Sequence, residues 1–277
     1  MIEPKDVTII IPTILNGDLP LEKLDRQKYA FDHCLESLDE TVPDIPKIIA
    51  SNGGKPISYI NYTQIHNWRQ GQCMAVNAAV ATTNTPWVFI TNDDMIYAPG
   101  WWDRLIRDIT LDTKCISPKL VEPRPGALTF IVQPFGGAGG DFNKEGWLEF
   151  AKNYNGAEVR TGFNLPFLIR RELWDTIGGY DINYDPWGSN GDSDLEYKIK
   201  LAGVQPYQSQ NSLVYHFSQT SGTFSPENQG YWQKNYAYFI EKWGFERVGS
   251  PEIWEATFNI PDEGRKFRPD WEGKYAG

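Results

Sequence analysis

Between Trp87 and Thr91 the chain is apolar at every position except the last, and it then turns acidic at Asn92-Asp93-Asp94. A short apolar run of this kind, rich in β-branched and aromatic residues, is what a strand buried on both faces requires. Val7 to Ile11 has the same character, and Lys47 to Ala50 is a shorter version ending at Ser51-Asn52-Gly53-Gly54. Helical spacing separates them. Tyr29, Ala30, Cys34, Leu35 and Leu38 predict a helix over about 24–38, and the Ala-rich segment 72–81 predicts another. Strand, helix, strand, helix, strand implies a parallel α/β sheet, whose ligands sit beyond the carboxyl ends of its strands. Thr13, Ser51-Asn52 and Asn92-Asp93-Asp94 fall at those ends and are expected to line one crevice.

The second half is less regular. Helices are predicted over 99–110, 171–177 and 192–202, strands within 115–131, over 161–169 and over 212–216, and an aromatic amphipathic segment over 227–243. The 135–140 stretch, Phe-Gly-Gly-Ala-Gly-Gly, reads as a mobile loop, with a lid over a bound donor as one reading. With no repeat and no low-complexity linker, the expected organisation is one α/β domain over 1–221. A helical, aromatic extension over 222–277 would pack on it.

Charge restricts the partners. There are 36 acidic and 26 basic residues, a net charge of -10. Such a surface disfavours sequence-independent binding to nucleic acid, and an anionic ligand would need a cation or a helix N-terminus as intermediary. Cys34, Cys73 and Cys115 form no CxxC pair, which suits a reducing compartment. Pro12 ends the first apolar run, which reads as a strand and not as a signal peptide, and no stretch approaches about 20 apolar residues. The expectation is a soluble, cytoplasmic protein with no membrane span.

Two acidic side chains at a strand mouth repel each other unless a cation lies between them; a turn or a helix N-cap would also explain Asp93 and Asp94. A hard divalent ion there would bridge phosphates. His216, after Leu213-Val214-Tyr215, could add a ligand or simply be a half-buried histidine. His33 and His66 have no such context. Asp192, at the start of a helix and beside Trp187 and Gly188, could cap that helix or take a proton from an attacking hydroxyl. Trp101, Trp102, Trp147 and Trp232 are each structural more readily than sugar platforms.

Taken together these segments resemble the family 2 glycosyltransferases with the GT-A fold, in the family's order over about 7–221. Val7 to Thr13 resembles the opening strand, Met74 to Ala81 the helix before the metal motif, and Thr91-Asn92-Asp93-Asp94-Met95 the DxD region. The stretch from Gly162-Phe163-Asn164 to Gly178-Gly179-Tyr180-Asp181 is similar to the acceptor-side segment. Gly191-Asp192-Ser193-Asp194-Leu195 resembles the motif carrying the base, and Val214-Tyr215-His216 the metal-ligand segment.

The resemblance implies Mn²⁺ or Mg²⁺ at Asp94 and His216, with Asp192 as general base. It places Pro12, Thr13, Ser51, Asn52, Asn77, Asn92 and Asp93 near the nucleotide, and Trp187, Gly188 and Asn164 on the acceptor side. It implies inverting transfer from a nucleotide-sugar donor, a UDP-sugar favoured, to a saccharide or glycoconjugate hydroxyl. Ser51 or Asn52 stands where the family usually has a uracil-reading Asp, and Gly191 where Glu usually precedes the base. A nucleotidyltransferase or a dinucleotide oxidoreductase would need a Gly-rich loop after the first strand, where Pro12-Thr13-Ile14-Leu15 stands. The alternatives are a catalytically decayed carbohydrate-binding or scaffold protein of the same fold, or a transferase acting on modified DNA bases.

Overall fold

The computed structural model describes residues 2–15, 21–52, 63–67, 71–124, 131–218, 220 and 225–244. Gly53-Gly54, Ser221 and the Pro- and charge-rich tail from 245 onward lie outside the described residues.

The elements run β1 (Val7–Thr13), α1 (Leu21–Thr41), β2 (Lys47–Asn52), β3 (Thr63–Asn67), α2 (Gln72–Ala81), β4 (Trp87–Ile90), β5 (Met95–Tyr97), α3 (Trp101–Arg107) and β6 (Cys115–Glu122). They continue with β7 (Ile131–Val132), α4 (Lys144–Asn153), β8 (Arg160–Thr161), β9 (Phe167–Arg170), α5 (Arg171–Ile177), α6 (Gly191–Leu201), β10 (Tyr207–His216) and α7 (Gln229–Trp243). Among the described residues the strands form one sheet ordered β3-β2-β1-β4-β9-β6-β10-β5, with β7 beside β6 and β8 beside β10. From β3 to β4 every pairing is parallel, β9 runs antiparallel to both its neighbours, and β6 and β10 are parallel to each other.

The apolar runs without polar alternation are explained by burial on both faces. In β1, Ile10 belongs to the core cluster that also holds residues of α2, α5, α6 and α7, while Ile9 and Ile11 belong to the one that holds residues of α1 and α3. In β4, Val88 and Ile90 take the first side, Trp87 and Phe89 the second. A third cluster gathers β10 and α4 around the fully buried Trp147.

The segments 72–81 and 171–177 are helical over the predicted ranges. Three elements were not anticipated: β3, β5 and α4. Met95–Tyr97 is a strand, so the acidic loop leads into β5 and not directly into a helix. The predicted 161–169 strand is two pieces, β8 on β10 and β9 between β4 and β6, because they pair with different partners. The 135–140 loop is bonded to its surroundings. Tyr215 Oη donates to the Gly136 carbonyl at 2.6 Å, the Gly137 N–H donates to Asp141 Oδ1 at 3.0 Å, and Ala138 is buried.

Among the described residues beyond β10, α7 packs on the domain. Phe239 and Trp243 of α7 enter the core, and Lys242 Nζ sits 2.7 Å from Asp181 Oδ2 and 2.7 Å from Asp194 Oδ1. No described helix is long and apolar enough to cross a membrane.

Candidate active site

Sheet register builds the centre of the site. Antiparallel pairing of β5 and β10 sets His216 opposite Met95, which brings Asp94 alongside; the Phe217 N–H closes the junction on the Asp94 carbonyl at 3.1 Å. Parallel pairing of β6 and β10 sets Tyr215 opposite Val121, which brings Glu122 to the other side of the imidazole. His216 Nε2 is 3.4 Å from Asp94 Oδ2, and His216 Nδ1 is 2.6 Å from Glu122 Oε1. The ring is therefore held between two carboxylates, Glu122 on Nδ1 and Asp94 on Nε2. Glu122 was not anticipated; its signal was an acidic residue closing an apolar strand.

Charge at this centre is unbalanced. Burial opposes the imidazolium of His216, but Asp94 and Glu122 outweigh it and push the ring up to about 10. Burial also raises Asp94, yet His216 and the Thr220 hydroxyl, which donates to Oδ2 at 2.7 Å, hold its carboxyl below the usual range. For Asp93, burial and then the Asp94 charge push the carboxyl up to about 7, against hydrogen bonds from Thr13 and Gln27. Gln27 Nε2 donates to Asp93 Oδ2 at 2.6 Å. Asp94 Oδ1 is buried and has no hydrogen-bond partner among the described residues.

A cleft of about 90 Å³ opens on these groups. It is walled by Pro12, Thr13 and Ile14 from the end of β1, Gln27 of α1, Asn52, Gln72 and the Asn92-Asp93-Asp94 turn. Of the residues expected near a nucleotide, Pro12, Thr13, Asn52, Asn92 and Asp93 therefore meet. Ser51 is the register partner of Thr13 but is wholly buried and does not line the cleft. Asn77 does not reach it: its amide donates to the Tyr180 carbonyl at 2.8 Å and accepts from the Tyr180 N–H at 2.9 Å. Gln27 and Gln72 are cleft residues that periodicity cannot find, because each is one polar side chain on an otherwise ordinary helix.

The acidic start of α6 faces the start of α2. Gly188, with φ +69°, has Gln72 and Cys73 as its nearest neighbours, and Gln72 Nε2 donates to Asn92 Oδ1 at 3.1 Å. Gly191 also faces Cys73. Asp192 follows in the first turn, half-buried, and accepts from Tyr180 Oη at 2.7 Å. The N-cap is Asn190, not Asp192. Trp187 is half-buried in the same loop. Asn164 lies elsewhere: its amide nitrogen bonds the Pro118 carbonyl at 3.1 Å and its oxygen accepts from Gln208, bridging β6 and β10. Trp101, Trp102 and Trp147 are core residues, whereas Trp232 is 38% exposed. His33 bonds the Tyr29 carbonyl within α1.

Among the described residues, no three His, Cys, Asp or Glu side chains already surround one point as a metal site. Two donors do face each other, Asp94 and His216. The unsatisfied Asp94 Oδ1, the neighbouring Asp93 carboxylate and the His216 ring are oxygen and nitrogen groups of the kind a divalent cation takes.

No protein-family model matches the chain. It is 23% identical over 84% of its length to an O-antigen biosynthesis protein, RfbC, of Myxococcus xanthus. It is 27% identical over 65% of its length to a galactofuranosyl glycosyltransferase of Leishmania donovani. The chain spans 19% and 46% of the lengths of these relatives. Among solved structures, a mannosyltransferase from Pyrobaculum calidifontis in complex with GDP-Man and Mn²⁺ superposes with a TM-score of 0.56. That match is 14% identical and covers 92% of this chain and 70% of the other. The chain has the GT-A fold of glycosyltransferases.

Proposed function

We propose that this chain is a metal-dependent glycosyltransferase of the family 2 type, moving a sugar with inversion from a nucleoside-diphosphate donor to an acceptor hydroxyl. The single observation that carries the reading is Asp94 beside His216, with Asp94 Oδ1 unsatisfied, at the mouth of a cleft lined by Thr13, Asn52 and Asn92. The relatives' names and the shared fold point the same way.

In this reading the nucleotide-binding half, 1–95, holds the donor, and the acceptor half, 96–221, holds the acceptor. Pro12, Thr13, Asn52 and Asn92 flank the nucleotide. A UDP-sugar is the first donor to test and a GDP-sugar the second, since Ser51 and Asn52 stand where a uracil-reading Asp would be. Asp94 and His216 would hold Mn²⁺ or Mg²⁺, which when bound supplies positive charge to the diphosphate.

Asp192 takes the proton of the attacking hydroxyl. As the acceptor oxygen bonds the anomeric carbon, the bond from that carbon to the diphosphate oxygen breaks and the nucleoside diphosphate leaves with the electron pair. Tyr180 holds the Asp192 carboxylate in place. Trp187 and Gly188 form the adjoining wall on the acceptor side.

The test is incubation of the pure chain with Mn²⁺ and a panel of nucleotide sugars, read by release of nucleoside diphosphate. Slow metal-dependent hydrolysis of one donor is expected. No release and no binding of any donor would overturn the reading.

A further inference from the structure

A second concavity lies against α4. Glu122, whose side chain contacts His216, is the register partner of Val132 in β7, and its carbonyl accepts the Gln133 N–H at 2.9 Å. Gln133 then enters a groove of about 580 Å³ against α4, also lined by Phe135, Glu149, Phe150, Asn153 and Tyr154.

Glu149, Phe150 and Asn153 recur at helical spacing, so they lie on one face of α4, and Tyr154 closes the helix. Trp147 of the same helix is fully buried, whereas Phe135, Phe150 and Tyr154 are only half-buried. Their rings form a row, with centroids 5.6 Å apart from Phe135 to Phe150 and 5.6 Å from Phe150 to Tyr154.

We infer that this groove is a subsite for a neutral saccharide chain, one of its lining residues, Gln133, being bonded through its backbone to Glu122. Part-exposed aromatic faces pack against the C–H faces of pyranose rings, and flanking carboxamides and a carboxylate can donate to and accept from sugar hydroxyls. No described lining residue is cationic, so a phosphate or nucleotide would find no counter-charge here. As an acceptor subsite it rests on the glycosyltransferase reading; as a saccharide site it stands alone.

The experiment is calorimetric titration of the full chain with mannan-, galactan- and glucan-derived oligosaccharides and the corresponding monosaccharides. At least one oligosaccharide should bind, more tightly than its monosaccharide. Phe150→Ala should weaken it at least tenfold, and Asn153→Ala, at an exposed position, at least threefold, with thermal unfolding used to verify folding. The inference is overturned if no oligosaccharide binds, or if both folded variants bind like the native chain. Donor hydrolysis by the native chain is measured separately. Chain binding without hydrolysis sustains the groove and defeats the transferase reading, whereas hydrolysis without chain binding defeats the groove alone.

Discussion

Tyr180 Oη lies 2.7 Å from Asp192 Oδ1, so the carboxylate proposed to accept the proton is held by a phenol from the turn after α5. Asn77 fixes that turn in its own right by bonding both sides of the Tyr180 peptide backbone. The side chain at the start of α6 therefore has its direction set by a residue on another element. Removing the phenol oxygen should loosen the carboxylate without removing it. Tyr180→Phe is expected to lower kcat about tenfold, equivalent to ~1.4 kcal/mol in the barrier, with KM for the donor unchanged. A parallel rise in donor KM would show that Tyr180 acts on donor binding instead.

Asp192→Asn keeps the shape of the side chain and removes its basicity. Transfer should fall by about 10²–10⁴-fold, the usual contribution of a positioned base, while donor affinity stays within a few-fold. Steady-state kinetics with calorimetric donor binding checks both parts. Retained turnover removes Asp192 from the mechanism.

Asp94→Ala removes one of the two facing donors and leaves His216 between Glu122 and an empty space. Binding of a nucleotide sugar should lose its dependence on Mn²⁺. Titrations with and without a chelator provide the comparison, and equal affinities in the native chain would refute a metal at Asp94 and His216.

Lys242→Met leaves Asp181 and Asp194 buried with their shared cation removed; both carboxylates and Lys242 are almost wholly inaccessible. Breaking a buried charge pair from one side costs about 3–5 kcal/mol. A lowered Tm in thermal denaturation is expected. An unchanged Tm would mean that α7 is not held by this cluster.

Gly71 stands at φ +120°, and a Cβ there would lie 2.0 Å from Asp185 Oδ1. The Asp185 carboxylate caps α2 from far along the chain, accepting the Cys73 and Met74 N–H groups at 2.9 Å each. Gly71→Ala should therefore destabilise by about 1–3 kcal/mol through strain and overpacking, read from the denaturant midpoint. Asp185→Ala should cost about 0.5–2 kcal/mol, the value of a lost cap.

The sequence by itself determined β1, β2 and β4 and the acidic turn that follows β4. Burial on both faces leaves a continuous apolar mark, as at Ile9-Ile10-Ile11 and Val88-Phe89-Ile90, helical periodicity marks α1, richness in Ala marks α2, and Gly178-Gly179 marks the end of α5. Short or edge elements such as β3, β5 and β7 leave no such mark, because pairing with a neighbour holds them, not their own composition. Only the tertiary structure decided that Glu122 backs His216, that Gln27 and Gln72 face the cleft, and that Asn77 and Asn164 have their amides taken up by neighbouring backbone and side-chain groups. Those outcomes depend on register and on which strand ends meet, and register is settled by packing between segments more than a hundred residues apart, such as Asp94 and Thr220.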